Sequence, residues 1–431
     1  MKKVIVIIVV LVTILSLFTG CGKKEKVDSS DNSQDKIKDM ESEQVVVTIF
    51  HHIGEQSARD TFKKQIEALE ALNPNVKYEV QGIDFNQFDT MLKTKIAAGD
   101  APDIIMGRPK MYLELIKAGH IMDISDQPFI DNIYESAISS MKIDGKVYGI
   151  PTVLEGMGVF YNKDVFDKYG IEIPKTHSEL MEAVAILDEN GIVPFANGFK
   201  DGWTAQCNIQ SDFYGSPLAS NPLMFKEITE GTKKFSDYEE FIQSIQRYKE
   251  RLDYSSENDF GIDATKARTM LIKGEAAMLL QGTWEIREIS NLAPDAQIGF
   301  FTTPNSDNPD ESLLGLASSG SYMISSQTKH KQEALKLLEF RASVEGAKID
   351  NADGTQITCV KEVPTEGINP ITVDVMKIAE SKKTYNYEAE DIFVGQRNAT
   401  FRKWQEEFAA DPNREVDKYI EKLVKEFNSI E

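Results

Sequence analysis

Val45-Val46-Val47-Thr48-Ile49-Phe50 is a β-branched run of the kind that forms a buried strand, and the pattern on its C-terminal side sets the architecture. Phe62, Ile66 and Leu69, with Leu72 beside them, recur at helical spacing, and Asn73-Pro74-Asn75 stops that helix before a second apolar run, Val76 to Val80. Strand, helix and strand make one βαβ unit. The next amphipathic stretch carries Phe85, Phe88, Leu92 and Ile96. Gly99-Asp100-Ala101-Pro102 punctuates it, and Asp103-Ile104-Ile105-Met106 reads as a third strand. Repetition of that order predicts an α/β sheet. Further on, Phe241, Ile245, Tyr248 and Leu252 share a helical face, as do Ala334, Leu337, Leu338 and Arg341. No solenoid-type repeat is visible.

Upstream of this pattern, Lys2 and Lys3 precede an apolar stretch from Val4 to Phe18, the small residues Thr19 and Gly20, and Cys21. That is the three-part layout of a secretory signal. Its apolar run falls short of the ~20 residues needed to span a bilayer, so residues 1–20 read as a signal peptide removed on export, with a retained anchor as the alternative. Phe18-Thr19-Gly20-Cys21 resembles the lipobox of bacterial lipoproteins, with Phe18 where Leu is usual. The resemblance implies acylation of the Cys21 thiol, and ordinary cleavage that releases a soluble protein is the alternative. Acyl chains hold a protein at the membrane by ~0.8 kcal/mol for each buried methylene. Residues 21–44, with Gly22-Lys23-Lys24-Glu25-Lys26 and then Ser29, Ser30, Asn32 and Ser33, offer little to bury and read as a flexible tether. The remainder is long enough for two domains.

Composition narrows the class. The 431-residue chain has 69 acidic against 48 basic residues, a formal net charge of -21, which argues against nucleic acid as a partner. There is no GxxxxGK[ST] loop, no GxGxxG after a strand and no HExxH, so no nucleotide or zinc-protease chemistry is indicated, and no cofactor is expected. With Cys21 assigned to lipid, Cys207 and Cys359 remain; they either pair as a disulfide after export or stay as small buried thiols.

Four ordered blocks resemble the extracellular solute-binding proteins of the maltose-binding type. Gly99-Asp100-Ala101-Pro102-Asp103-Ile104-Ile105 is similar to the family's G-x-x-P-D-I/V segment. Gly145-Lys146-Val147-Tyr148-Gly149-Ile150-Pro151, followed by Phe160-Tyr161-Asn162-Lys163-Asp164, is similar to its most characteristic one, continued by Phe166, Gly170, Pro174, Thr176 and Leu180, with His177 where Trp is common. Met270 to Trp284 and Ser318 to Ser343 resemble the third and fourth blocks.

The resemblance implies two α/β lobes of the periplasmic-binding-protein type, joined by hinge strands, with a ligand cleft between them. Crossings near Thr152, Ser318 and Cys359 give an N-terminal lobe of 45–153 plus 318–359 and a C-terminal lobe of 154–317 plus 360–431. It further implies capture of a carbohydrate, an oligosaccharide, by lobe closure, delivery to the permease of an ABC importer, a monomeric state, and a station at the extracytoplasmic face of the cell membrane. No catalysis is expected.

A pyranose shows an apolar face and a rim of hydroxyls, so its receptor needs aromatic planes together with amide or carboxylate partners. By family position, Trp284 supplies such a plane, and Trp203 lies where another cleft aromatic is often found. The alternative for both is core packing. Glu155, between Pro151 and Tyr161, matches an acidic residue that accepts hydrogen bonds from sugar hydroxyls. His51 and His52, at the end of the first strand, are candidates too. Neighbours on a strand point to opposite faces, so only one of the pair is expected in the cleft. Adjacent histidines without a Cys/His cluster do not make a dedicated metal site. Arg108, Ser319 and Gly320 complete the candidate set. Asp103 reads as a residue that fixes its turn, and Tyr161 and Asn162 as structural. The chain departs from the maltose-binding protein at Gly107, an aromatic position there, and at Lys110, an acidic one. Two other classes stay open: a receptor for a polyamine or other non-sugar solute, which would need several convergent carboxylates, and a glycoside-acting enzyme, which would need two carboxylates flanking a bond.

Overall fold

The computed structural model describes residues 44–430, apart from Glu55, Glu257, Ser319, Thr365, Val394 and residues 382–383 and 386–392. The leader, Cys21 and all of the tether but Gln44 lie outside the described residues, and so does Ser319. No described helix is long and apolar enough to cross a membrane.

Val45–His51 lies in a five-stranded sheet between Val76–Gly82 and Ile104–Gly107, parallel to both, with Ile49 opposite Val80 and Ile104. This is the βαβ order expected from the apolar runs. Ser321–Ile324 and Ile150–Pro151 extend the sheet antiparallel beyond Ile104–Gly107. The helix Gln56–Leu72 buries Phe62, Ile66 and Leu69, and Asn73 stops it by donating from its side-chain amide to the Leu69 carbonyl at 3.0 Å. Because strand side chains alternate, Val47 and Ile49 join the core under this helix while Phe50 joins Phe88, Leu92 and Ile96 of the helix Phe85–Ala97 on the other face. Helices therefore cover both faces.

Asp103, just before its strand, is structural through longer connections than a local turn. Its carboxylate accepts from the Thr48 amide and hydroxyl, both at 2.8 Å, and from the Thr328 hydroxyl, tying three segments together.

A seven-stranded sheet forms the second lobe around the ten-residue strand Val153–Asn162. Leu314–Ser318, Ala276–Gly282, Ile298–Phe301 and Ile357–Thr358 all pair with it, which is why its stretch from Gly156 to Asn162 is buried throughout. Met157, Val159 and Tyr161 face one side and Phe160 the other. On the Met157 side lie the helices Gly202–Tyr214, Gly395–Ala410 and Val416–Asn428, in a core rich in aromatic rings. On the Phe160 side lie Ala264–Ile272, Glu285–Leu292 and Pro370–Glu380. Asn162 ends the central strand and caps the next helix: its side-chain Oδ1 accepts from the Val165 N–H, and its side-chain Nδ2 donates to the Leu271 carbonyl at 2.9 Å.

Short connections join the two sheets. Ile150–Pro151 belongs to the first and Val153 to the second, and Thr152 between them donates from its N–H (2.9 Å) and hydroxyl (3.1 Å) to the Gly320 carbonyl, in the connection that runs back from Ser318 to Ser321. A third segment pairs Ile357–Thr358 with Val153–Leu154, while the adjacent Cys359 and Val360 are buried in the first lobe's core. Crossings bonded to one another at one edge, with few residues to absorb a rotation, are the anatomy of a hinge. Cys207 and Cys359 are buried in cores of different lobes, so the buried-thiol alternative describes them. Burial pushes the Cys207 thiol up to about 12, which leaves it unreactive.

Candidate ligand-binding site

Where the two sheets face each other the chain encloses a cavity of about 220 Å³. The first lobe contributes His52, Ser57, Thr61, Phe62, Tyr322 and Arg341; the second contributes Glu155, Trp284, Arg287 and Glu288; Thr152, Val153 and Gln356 line it at the hinge.

The first-lobe wall is a fixed stack. Phe62 lies parallel to Tyr322, with centroids 5.2 Å apart and planes at 15°. The Arg341 guanidinium covers the Tyr322 ring at 4.7 Å, donates to the Gln65 side chain and reaches Asp350 at 3.1 Å. Arg341 is buried, so each of these partners offsets desolvation of its charge. His52 stands edge-on to Phe88 at 4.9 Å. Burial, reinforced by the Arg108 charge, lowers its pKa below the ordinary imidazole value, which favours the neutral ring at the cavity.

The second-lobe wall begins with the strand Ala276–Gly282 and the turn after it. Trp284 opens the helix Glu285–Leu292, and its six-membered ring lies directly over Gly282, where a Cβ would come within 2.2 Å of the ring. Only glycine allows that approach. The indole N–H is buried without a hydrogen-bond partner, so the ring enters the site as an apolar plane. Glu285 anchors the start of the helix through Arg268 at 2.5 and 3.2 Å, in a pair that is almost wholly buried.

Two further bonds run from this helix to the first lobe. Ser57 Oγ donates to Glu288 Oε1 at 2.5 Å. Arg287 donates to Thr61 Oγ1 at 3.3 Å and to the Asp350 carbonyl at 2.6 Å, and its Nε donates to Asp353 at 2.8 Å.

Of the residues singled out in the sequence, Trp284, Glu155 and His52 meet at this cavity. Trp203 stands just outside its lining, edge-to-face with Trp284 at 6.0 Å, and is exposed. His51 is turned into the first-lobe core: it is buried, lies edge-on to Phe62 at 5.8 Å, and its Nδ1 accepts from the Ile53 amide at 3.0 Å. Strand alternation thus separates the two histidines. Arg108 is half-buried beside His52 but outside the lining. Gly320 lends its carbonyl to the hinge, and Ser319 lies outside the described residues. Among the described residues no group of three metal-ligating side chains converges.

Sequence reading missed Ser57, Phe62, Tyr322, Arg287, Glu288 and Arg341 as lining residues. Arg341 carried a signal: a charge on a helical face otherwise made of Ala334, Leu337 and Leu338 is costly unless it is partnered. Arg287 and Glu288 had none beyond closeness to Trp284.

Comparison with known proteins agrees with this architecture. The sequence pattern described as "Bacterial extracellular solute-binding protein" matches residues 55–348. A multiple sugar-binding protein of Streptococcus mutans is 26% identical over 380 residues, 83% of this chain and 87% of that protein. Among solved structures, a chitin oligosaccharide binding protein superposes with a TM-score of 0.78 at 24% identity, covering 90% of this chain and 98% of the other. The solute-binding protein RafE in complex with raffinose superposes at 0.75 and 22% identity, covering 89% and 99%. With two sheets, bonded crossings and a cavity between them, this chain belongs to the bacterial extracellular solute-binding protein family, whose members bind solutes for transporters.

Proposed function

We propose that this chain is the capture component of an ABC importer for a carbohydrate, an oligosaccharide, which it holds between its lobes and hands uncut to the membrane permease. Lipid on Cys21 keeps it at the extracytoplasmic face of the cell membrane, with residues 21–44 as the tether. The lobes, 45–153 with 318–359 and 154–317 with 360–431, turn about Thr152 and the connections beside it.

The observation that carries this reading is that one cavity takes its aromatic and polar side chains from both sheets: Phe62, Tyr322 and His52 from one, Trp284 and Glu155 from the other. A sugar touching both sets gains contacts in the closed arrangement that an open one lacks, so binding and closure are the same event. Aromatic planes alternating with hydrogen-bonding groups suit pyranose faces and hydroxyls. The names of relatives point the same way, since one binds multiple sugars and another holds raffinose. A polyamine receptor is disfavoured, because Arg287 and Arg341 line the same cavity as Glu155 and Glu288.

Thermal unfolding of residues 22–431 against oligosaccharides, monosaccharides, polyamines and metal ions tests the reading. A ligand at 100 times its Kd stabilises the native state by ~2.7 kcal/mol. A rise in Tm with one saccharide series, recovered uncut, is the expected result. A rise with polyamines or metals alone overturns the carbohydrate class, and cleavage of the sugar overturns the receptor.

A further inference from the structure

We infer that the cavity receives one end of a saccharide chain and that the chain can lengthen only toward Trp203. This rests on the carbohydrate reading above. Trp284 stands between two helices that pack on opposite faces of the seven-stranded sheet: Glu285–Leu292 on the Phe160 face and Gly202–Tyr214, which carries Trp203, on the Met157 face.

The two sides differ. On the Glu285–Leu292 side the lobes are joined directly, Ser57 to Glu288 at 2.5 Å and Thr61 and Asp350 to Arg287 at 3.3 and 2.6 Å, and all five residues line the cavity. Bonds that bridge the lobes here stand in the path of a second sugar ring. On the other side no interlobe bond among the described residues involves Trp203, which is 38% exposed and stands edge-to-face with Trp284. At about 220 Å³ the cavity is below the ~300–1,000 Å³ of sites that enclose most of a drug-sized ligand, so a longer chain must emerge from it. The emerging ring meets Trp203.

The experiment uses residues 22–431 and the malto-, xylo-, chito- and raffinose-type oligosaccharide series. The series that raises Tm is then measured by calorimetry in three forms: free, with a biotin-alkyl group at the reducing end, and with a benzylidene acetal on the terminal non-reducing ring. One blocked form is expected to keep its Kd, and the other to lose about a hundredfold, a loss within reach of a steric wall. The double variant Ser57→Ala, Glu288→Ala should recover at least about tenfold for the excluded form, with its fold checked by circular dichroism. Trp203→Ala should flatten the gain in affinity on going from the shortest bound member to the next. Equal binding of both blocked forms, or equal loss of both, overturns end-on binding while leaving carbohydrate capture intact. Absence of any saccharide response instead refutes the carbohydrate reading on which it depends.

Discussion

The two walls of the cleft are built on different principles. Phe62, Tyr322 and Arg341 on the first lobe are stacked on one another and bonded to Gln65 and Asp350, so their positions are fixed by the lobe's own core. Trp284 and Glu155 on the second lobe are half-buried in the cavity lining. On the proposed function, one wall is a prepared floor and the other a reading surface, a division that limits the ordering cost of binding to one side. If so, substitutions in the floor should be felt first in stability and those in the reading surface first in affinity. Arg341→Ala should have the largest effect: it strands half-buried Asp350 and buried Gln65 and should lower the free energy of unfolding by roughly 3 kcal/mol in urea titration. A loss below about 1 kcal/mol would mean that the stack stands without its cation.

Trp284→Ala should reverse the balance. The loss of its plane is expected to weaken saccharide binding by about 2–3 kcal/mol, near a hundredfold, with a smaller change in unfolding free energy than Arg341→Ala gives. Gly282→Ala is a stricter version of the same test. It leaves every lining side chain in the sequence, yet its methyl group would occupy the ring's place, so calorimetry should report a loss approaching that of Trp284→Ala. Normal affinity in Gly282→Ala would show that the indole can shift without consequence.

Much of the scaffold was legible in the sequence because it follows from periodicity. Val45 to Phe50, the Phe62, Ile66 and Leu69 stripe and the stop at Asn73 map onto a strand, a helix and its termination with shifts of a few residues at the ends. The cleft was legible in part. Trp284 and Glu155 came from position in or between recognisable blocks and His52 from the end of the first strand, and alternation along that strand anticipated that only one histidine of the pair would line the cavity. Residues that reach the cavity from elements distant in sequence were not. Ser57 meets Glu288 across 231 positions and Arg287 meets Thr61 across 226, and no local pattern encodes a contact that exists only when two lobes face each other.

His51 offers the next test, since it belongs to the floor. Burial, with the neighbouring His52 and Arg59 charges, pushes it down to about 4. Between that value and the ordinary 6.5 the unfolded chain binds a proton that the native chain refuses. Stability from this residue is therefore complete above pH 6.5 and is lost as pH falls toward 4, on the order of 2 kcal/mol in all. Urea titrations at pH 7, 6 and 5 should show that slope reduced in His51→Asn relative to the parent. An identical slope would remove His51 as its source.

Glu155→Gln is the smallest and most discriminating change, because it keeps the shape of the reading surface and removes only charge. A carboxylate that accepts hydrogen bonds from sugar hydroxyls exceeds an amide by on the order of 1 kcal/mol, so a Kd raised roughly fivefold is expected by calorimetry. A carboxylate working as a catalytic acid or nucleophile would behave otherwise: the parent would release cut sugar and the amide would stop it, with little change in binding. Intact sugar from both proteins, together with a modest affinity loss in one, is the pattern that belongs to a receptor.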